Sequence, residues 1–237
     1  MRILLTRPRE DAVPFAQMLS ARGHDAVIAP LLEIRFADGA EISLEGVQAI
    51  LATSANGVRA IARRTQRRDV PVFAVGPQTA EEAQRAGFAG VRNAKGDGAA
   101  LANATKQWAL PQNGALLHAA GSEAPKFLAG ELEKSGFAVR RKVLYRAVAA
   151  QELPNAAASA LKTDVLNAVM HFSPRSARLF CELTARAGLA QHCKKIRALC
   201  ISKAAADAAA AIGFRQVRIA KNPSQDAMLT LLEEGHI

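Results

Sequence analysis

Short unbroken apolar runs alternate with longer amphipathic stretches along the whole chain. ILL, AILA, VFAV, ALL and ALCI are continuous rather than alternating, as strands buried on both faces are, which implies parallel sheets covered by helices. Strands are predicted near 2–6, 26–30, 48–52, 71–75, 114–118, 138–144, 166–171, 197–201 and 216–219. Helices are predicted near 10–22, 56–68, 78–87, 98–108, 123–135, 155–162, 175–186, 203–212 and 225–234. Gly23, Gly87, Gly136 and Gly213 each follow a helical stretch, where a left-handed C′ residue belongs. Asp97 and Ser173 stand where N-caps belong. Repeated β–α alternation predicts a doubly wound α/β fold. Two stretches, 30–41 and 145–155, carry β-type residues before Pro, Gly or acidic residues and read as connectors.

The pattern repeats. AILATSANGVRAI around Ser54 is answered by AVMHFSPRSARLF around Ser173, and the units around Gly76 and Ser202 follow in the same order. RILLTRPREDAVPFAQML at the N-terminus parallels GALLHAAGSEAPKFLAGEL from Gly114. Such duplication implies two similar α/β units with a cleft between them. Two crossings between the halves, or one near 108–114, are both compatible with this periodicity.

The length of 237 residues suits two domains. No apolar run approaches the ~20 residues that span a bilayer, and the start lacks the features of a signal peptide. A cytoplasmic protein without membrane association is expected. Cys181, Cys193 and Cys200 show no CxxC spacing and read as small buried hydrophobes, with no metal site. The 31 Lys+Arg against 21 Asp+Glu give a formal charge of +10, which favours anionic partners. One Trp and one Tyr make stacking platforms for nucleic acid scarce, and no zinc-finger spacing or RNP-like string occurs. Arg59, Arg63 and Arg67 are expected to form a solvated stripe on one helix face.

In doubly wound sheets, ligands sit beyond the C-terminal strand ends. The loops expected there are TRP (6–8), TSANG (53–57), VGPQT (75–79), HAAGSEA (118–124, with Gly121), FSPRS (172–176) and ISKAA (201–205). Small residues let backbone N–H groups approach a ligand, and helix N-termini favour negative charge, so such loops suit carboxylates. The same residues are caps in most proteins. No GxxxxGK[ST], GxGxxG, HExxH or GxSxG string occurs. His118 and His171 fall at predicted strand ends without a partner motif. Tyr145 ends the run KVLY, as a phenol able to donate a proton or as an amphipathic filler at a domain edge.

ILLTRP (3–8), TSANGV (53–58), VGPQTAEEAQRAGF (75–88), GDGAALA (96–102), KVLYRA (142–147), FSPRSA (172–177) and IGF (212–214) occur in an order and spacing that resembles the uroporphyrinogen-III synthase family over essentially the whole chain. The resemblance implies two flavodoxin-like domains with parallel sheets, joined by a two-stranded hinge that the chain crosses twice. One domain would hold 1–34 plus 149–237 and the other 38–144, with 35–37 and 145–148 as hinge connectors, and the domains would close on ligand.

The implied reaction cyclises hydroxymethylbilane, a linear tetrapyrrole polycarboxylate, to uroporphyrinogen III. Water is lost and the last pyrrole ring is inverted through a spiro intermediate. No cofactor is implied, the state would be monomeric, and handover from the upstream deaminase is left open. The family's tyrosine maps to Tyr145, as the acid assisting hydroxyl departure. Substrate contacts map to Ser54, Asn56, Gly76, Thr79, Ser173 and Ser176, with Gly121 in the HAAGSEA loop and Ser202 in the ISKAA loop. Arg7, Arg175 and Lys203 join them on charge and loop position. The family commonly has a Gly-x-Thr-Thr-type turn after its penultimate strand, where this chain has Ser202-Lys203-Ala204-Ala205. That departure motivates a rival, a non-catalytic relative binding a tetrapyrrole or another anion. A basic nucleic-acid binder is a further alternative.

Overall fold

A computed structural model describes residues 1–234. The chain opens with β1 (Arg2–Leu5), α1 (Arg9–Ser20), β2 (Asp25–Ile28) and β3 (Leu32–Phe36). It continues through β4 (Val47–Ala52), α2 (Ala55–Ala62), β5 (Val72–Ala74), α3 (Pro77–Arg85), β6 (Val91–Asn93) and α4 (Gly98–Trp108). Next come β7 (Ala115–Gly121), α5 (Phe127–Glu133), β8 (Val139–Ala149) and α6 (Asn155–Lys162). The last stretch holds β9 (Ala168–His171), α7 (Pro174–Arg186), α8 (Ala190–Cys193), β10 (Arg197–Cys200), α9 (Lys203–Ala209), β11 (Gln216–Ile219) and α10 (Gln225–Glu233).

The chain divides into two compact units, one of residues 1–33 and 148–237 and one of 34–147. The first is built on a parallel sheet of order β11-β10-β9-β1-β2. Numbered along the chain, these five strands lie in the order 2-1-3-4-5, the flavodoxin-like arrangement. The second sheet has the order β3-β8-β7-β4-β5-β6, with β8 through β6 parallel. Its parallel part is the same arrangement entered at the third strand: β4 answers β9, β5 answers β10, β6 answers β11, β7 answers β1 and β8 answers β2. This circular shift is why the N-terminal segment parallels the one from Gly114.

Both sheets are covered on two faces, as the unbroken apolar runs require. In the first unit Leu4, Val169, Ala198 and Cys200 pack on the side of Phe180. Their neighbours Ile3, Leu5, Ala168, Met170 and Leu199 pack on the side of Phe15. In the second unit Ile50, Ala52, Val72, Leu117 and Ala119 face one cluster, and Ala49, Leu51, Phe73 and Leu116 face the other. Period-two geometry sends successive side chains to opposite faces.

The connectors are strands. Ala37 N–H donates to Leu144 C=O and Ala150 N–H to Leu31 C=O, so β3 and β8 run antiparallel. Their β-type residues pair with each other, which local periodicity does not reveal. The short β6 and α8 also lack a predicted counterpart, being too short to carry a period. The arginine stripe is corrected: α2 ends at Ala62 with Arg63 as C-cap, so Arg67 lies beyond the helix and pairs with Asp69. The four glycine stops all adopt positive φ, between 70° and 87°. The three cysteines are buried and free, and burial pushes their thiols up to about 11 for Cys181 and about 12 for Cys193 and Cys200. Inert packing residues behave this way.

Candidate active site

Four strand-to-helix joints share one backbone conformation. Ser54, Gly76, Ser173 and Ser202 are the N-caps of α2, α3, α7 and α9, with φ/ψ of −160/156°, −157/176°, −161/153° and −155/164°. Each follows a parallel strand at its C-terminal end, where the helix dipole favours negative charge. The three serine oxygens accept from Gly57, Ser176 and Ala205 N–H respectively, as caps do. Gly76 has no side chain for this, and a Cβ there would meet nothing within 4 Å. Sterics do not require glycine at that joint.

The joints differ in what else the side chain touches. Ser54 Oγ lies 2.7 Å from the Tyr145 hydroxyl. Ser173 Oγ lies 2.9 Å from Ser176 Oγ within its own helix. Ser176 is buried, and its hydroxyl also donates to Ser173 C=O. Ser202 keeps its cap on Ala205, so the departure at 202–205 leaves the joint's backbone intact.

Tyr145 is placed by three features. First, β8 bulges beside β7: Ala120 pairs with Val143 but Gly121 pairs with Tyr145. The extra residue lets Leu144 and Tyr145 both pack on the face holding Leu117 and Ala119, as a bulge re-aims a side chain. Second, Gly121 seats the ring. A Cβ there would fall 2.7 Å from Tyr145 Cζ and 2.9 Å from its hydroxyl oxygen, so only glycine admits the phenol. Third, a Cβ at Gly57 would fall 2.5 Å from Ala119 C=O, so this glycine lets the first turn of α2 seat against β7. Burial pushes the Tyr145 phenol up and the bond to Ser54 pulls it down, with burial the stronger. The phenol is therefore protonated at neutral pH and able to donate.

Arg141 Nη2 donates to Gly121 C=O and Ala124 C=O, at 3.2 and 3.1 Å, and so ties the chain after β7 to β8. Neither Gly57 nor Arg141 was singled out by sequence. Gly57 is legible only within TSANG, and Arg141 is one charge in an RRK run whose neighbours Arg140 and Lys142 are less buried.

The remaining sequence-derived residues are dispersed. Asn56 Oδ1 accepts from Arg59, whose other nitrogen pairs with Glu82 at 2.7 Å. Thr79 is buried in the first turn of α3. Arg175 lies in the first turn of α7. Lys203 heads α9 and pairs with Asp207 at 3.0 Å. Arg7 is 5% exposed. It donates to Gln225 Oε1, pairs with Asp11 and lies 4.2 Å from the Phe172 ring centroid. It thereby links the loops after β1 and β9 to the start of α10.

His171 ends β9, whereas His118 is the fourth of seven residues in β7 rather than at its end. Both are fully buried, and neither ring nitrogen of either has a hydrogen-bond partner among the described residues. Burial lowers His118 to about 4, aided by the charge of Arg141. Burial lowers His171 to about 3, beside the rings of Phe180 and Phe214. Both are neutral core groups.

The fold is shared with proteins of known structure. A uroporphyrinogen-III synthetase structure from Helicobacter pylori is 18% identical, covers 100% of both chains and superposes with a TM-score of 0.65. A mutant uroporphyrinogen III synthase from the extremely thermophilic bacterium Thermus thermophilus is 17% identical, covers 99% of this chain and 98% of its own, and superposes at 0.52. At such identities these likenesses establish the fold. No curated protein matches. The sequence model described as uroporphyrinogen-III synthase HemD matches residues 13–230. With nearly the whole chain inside that match, the protein belongs to the uroporphyrinogen-III synthase family, cyclising lyases of heme biosynthesis that act on a tetrapyrrole.

Proposed function

We propose that this chain cyclises hydroxymethylbilane to uroporphyrinogen III with Tyr145 as the proton donor to the departing hydroxyl. The observation that carries the role is the placement of the chain's single tyrosine. Its hydroxyl sits at the C-terminal end of a parallel sheet, seated on Gly121 and bonded to a helix N-cap. As the C–O bond breaks, its electron pair leaves with the oxygen, which takes the Tyr145 proton and departs as water. The pyrrole nitrogen lone pair fills the vacated carbon. The last ring attacks that carbon through its substituted position, the spiro intermediate reopens and recloses, and the proton shed on closure restores the phenol.

The bilane closes unaided to the non-inverted isomer, so orientation is the larger part of the task. Its carboxylates are held at the first turns headed by Gly76, Ser173 and Ser202, where the helix dipole favours negative charge. Thr79, Ser176, Arg175 and Lys203 stand in those same turns, and the charge of +10 suits a polycarboxylate. Arg7, already engaged by Gln225, Asp11 and Phe172, holds loops in place. Among the described residues no helix is long and apolar enough to cross a membrane. The reading extends to a monomeric cytoplasmic enzyme that takes a short-lived bilane from the upstream deaminase.

Product-isomer analysis tests the proposal. With bilane freshly made by the deaminase, addition of this protein should yield mainly isomer III after oxidation and chromatography. Isomer I alone, at the uncatalysed rate and with folded protein, would overturn it.

A further inference from the structure

Ser54 Oγ has two partners, and its hydrogen bond to the phenol can run in either direction. Gly57 N–H donates to it at 3.1 Å and the Tyr145 hydroxyl lies 2.7 Å away. A serine hydroxyl has one proton and two acceptor lone pairs. If Tyr145 donates to Ser54, the phenol has no proton left for a substrate. If Ser54 donates to Tyr145, the phenolic proton is free and the chain runs Gly57 N–H to Ser54 O–H to Tyr145 O–H. Each donor then polarises the next, which makes the phenol a stronger acid than it would be alone.

We infer that Ser54 is a positioning residue for Tyr145: it hands the polarity of the α2 N-terminus to the phenol instead of binding a substrate carboxylate. When the Tyr145 proton passes to the leaving hydroxyl, the phenolate keeps the Ser54 proton as a hydrogen bond, and Gly57 N–H steadies the serine in turn. No other reactant enters, and the phenol is restored by the proton the macrocycle sheds on closing. The geometry is built rather than incidental. Ser54 and Tyr145 are 91 residues apart in sequence. They meet because Gly57 seats the first turn of α2 on β7 and Gly121 seats the ring on the same strand. The opposing effects of burial and of Ser54 on the phenol agree with this arrangement.

The inference rests on Tyr145 as proton donor, and the two fail differently. With one tyrosine in the chain, absorbance titration of the phenolate reports Tyr145 alone. Ser54→Ala should move that titration to higher pH and lower kcat about tenfold with KM near wild type, roughly the loss of one hydrogen bond to a developing charge. Ser54→Thr, which keeps the hydroxyl and the cap, should restore both. In a Tyr145→Phe background, Ser54→Ala should lower kcat no further, an outcome that a capping role alone would not give.

A Ser54→Ala variant with raised KM, unchanged kcat and an unmoved phenol titration would overturn the inference and return Ser54 to carboxylate binding. So would a full additional loss in the Tyr145→Phe background. If Tyr145→Phe itself forms isomer III at the wild-type rate, the proton-donor reading fails and this inference with it. If that variant is slow while Ser54→Ala changes neither kcat nor titration, only the role of Ser54 fails.

Discussion

Ser54 and Ser173 occupy the same joint in the two units, with φ/ψ values within a few degrees of each other and the same cap bond to the third residue of the turn. Their second partners differ. Ser54 reaches the phenol on β8, whereas Ser173 reaches Ser176 in its own helix. The strand answering β8 in the other unit is β2, four residues long against eleven. Duplication has preserved the backbone device, an N-cap at the end of a buried parallel strand. A longer, bulged strand has brought a tyrosine hydroxyl to one copy. The lesson is that a shared joint does not imply a shared role.

The largest test of that contrast is Tyr145→Phe, which removes the partner that sets Ser54 apart. Isomer III formation should fall by ~10²–10⁴-fold, the usual worth of general acid help. Folding should be intact by circular dichroism, since the ring still fills its seat. A wild-type rate would make the two joints equivalent again.

The buried histidines should expose a property that the units share. Each ring's folded pKa lies below its unfolded value near 6.5. Unfolding therefore takes up a proton as the pH drops, and the stability is intact above pH 6.5 and lost as pH falls toward 4 for His118 and 3 for His171. By pH 5 each contributes a loss of about 2 kcal/mol. Urea midpoints at pH 7 and pH 5 should show that decline, and His171→Phe should reduce it. An acid response identical in that variant would clear His171 of any part.

Gly121→Ala should displace the phenol, because its Cβ would fall 2.7 Å from the ring. A cost of ~1–3 kcal/mol in stability is expected from overpacking, with a further fall in kcat. Recovery of the rate when Tyr145 is also made Leu would mean the ring's position is immaterial. Ser173→Ala should have the smallest effect, ~1 kcal/mol of stability from a lost cap, with the phenol titration unmoved. A shift in that titration would mean that Ser173 also acts on Tyr145.

Much of the fold is legible in the chain. ILL, AILA and ALCI are strands buried on two faces, and Gly23, Gly87, Gly136 and Gly213 do stop helices at positive φ. The joints around Ser54, Gly76, Ser173 and Ser202 are visible as repeated small-polar turns. What they touch is not. Arg7 reads as a loop cation, yet it is buried against Phe172, Gln225 and Asp11, of which the last alone is near in sequence. Arg67 reads as the third arginine of a helical stripe, but α2 stops at Ala62. His118 reads as a strand-end group, but β7 runs three residues further.

Local pattern determined the elements, their caps and the duplication, because period-two burial, glycine's left-handed freedom and serine's capping are effects of a few neighbouring residues. Tertiary structure decided the permuted strand order, the pairing of β3 with β8 and the meeting of Ser54, Gly121 and Tyr145. Those depend on which strands lie side by side and on a one-residue bulge in register. Contacts across tens of residues leave no period in the chain that makes them.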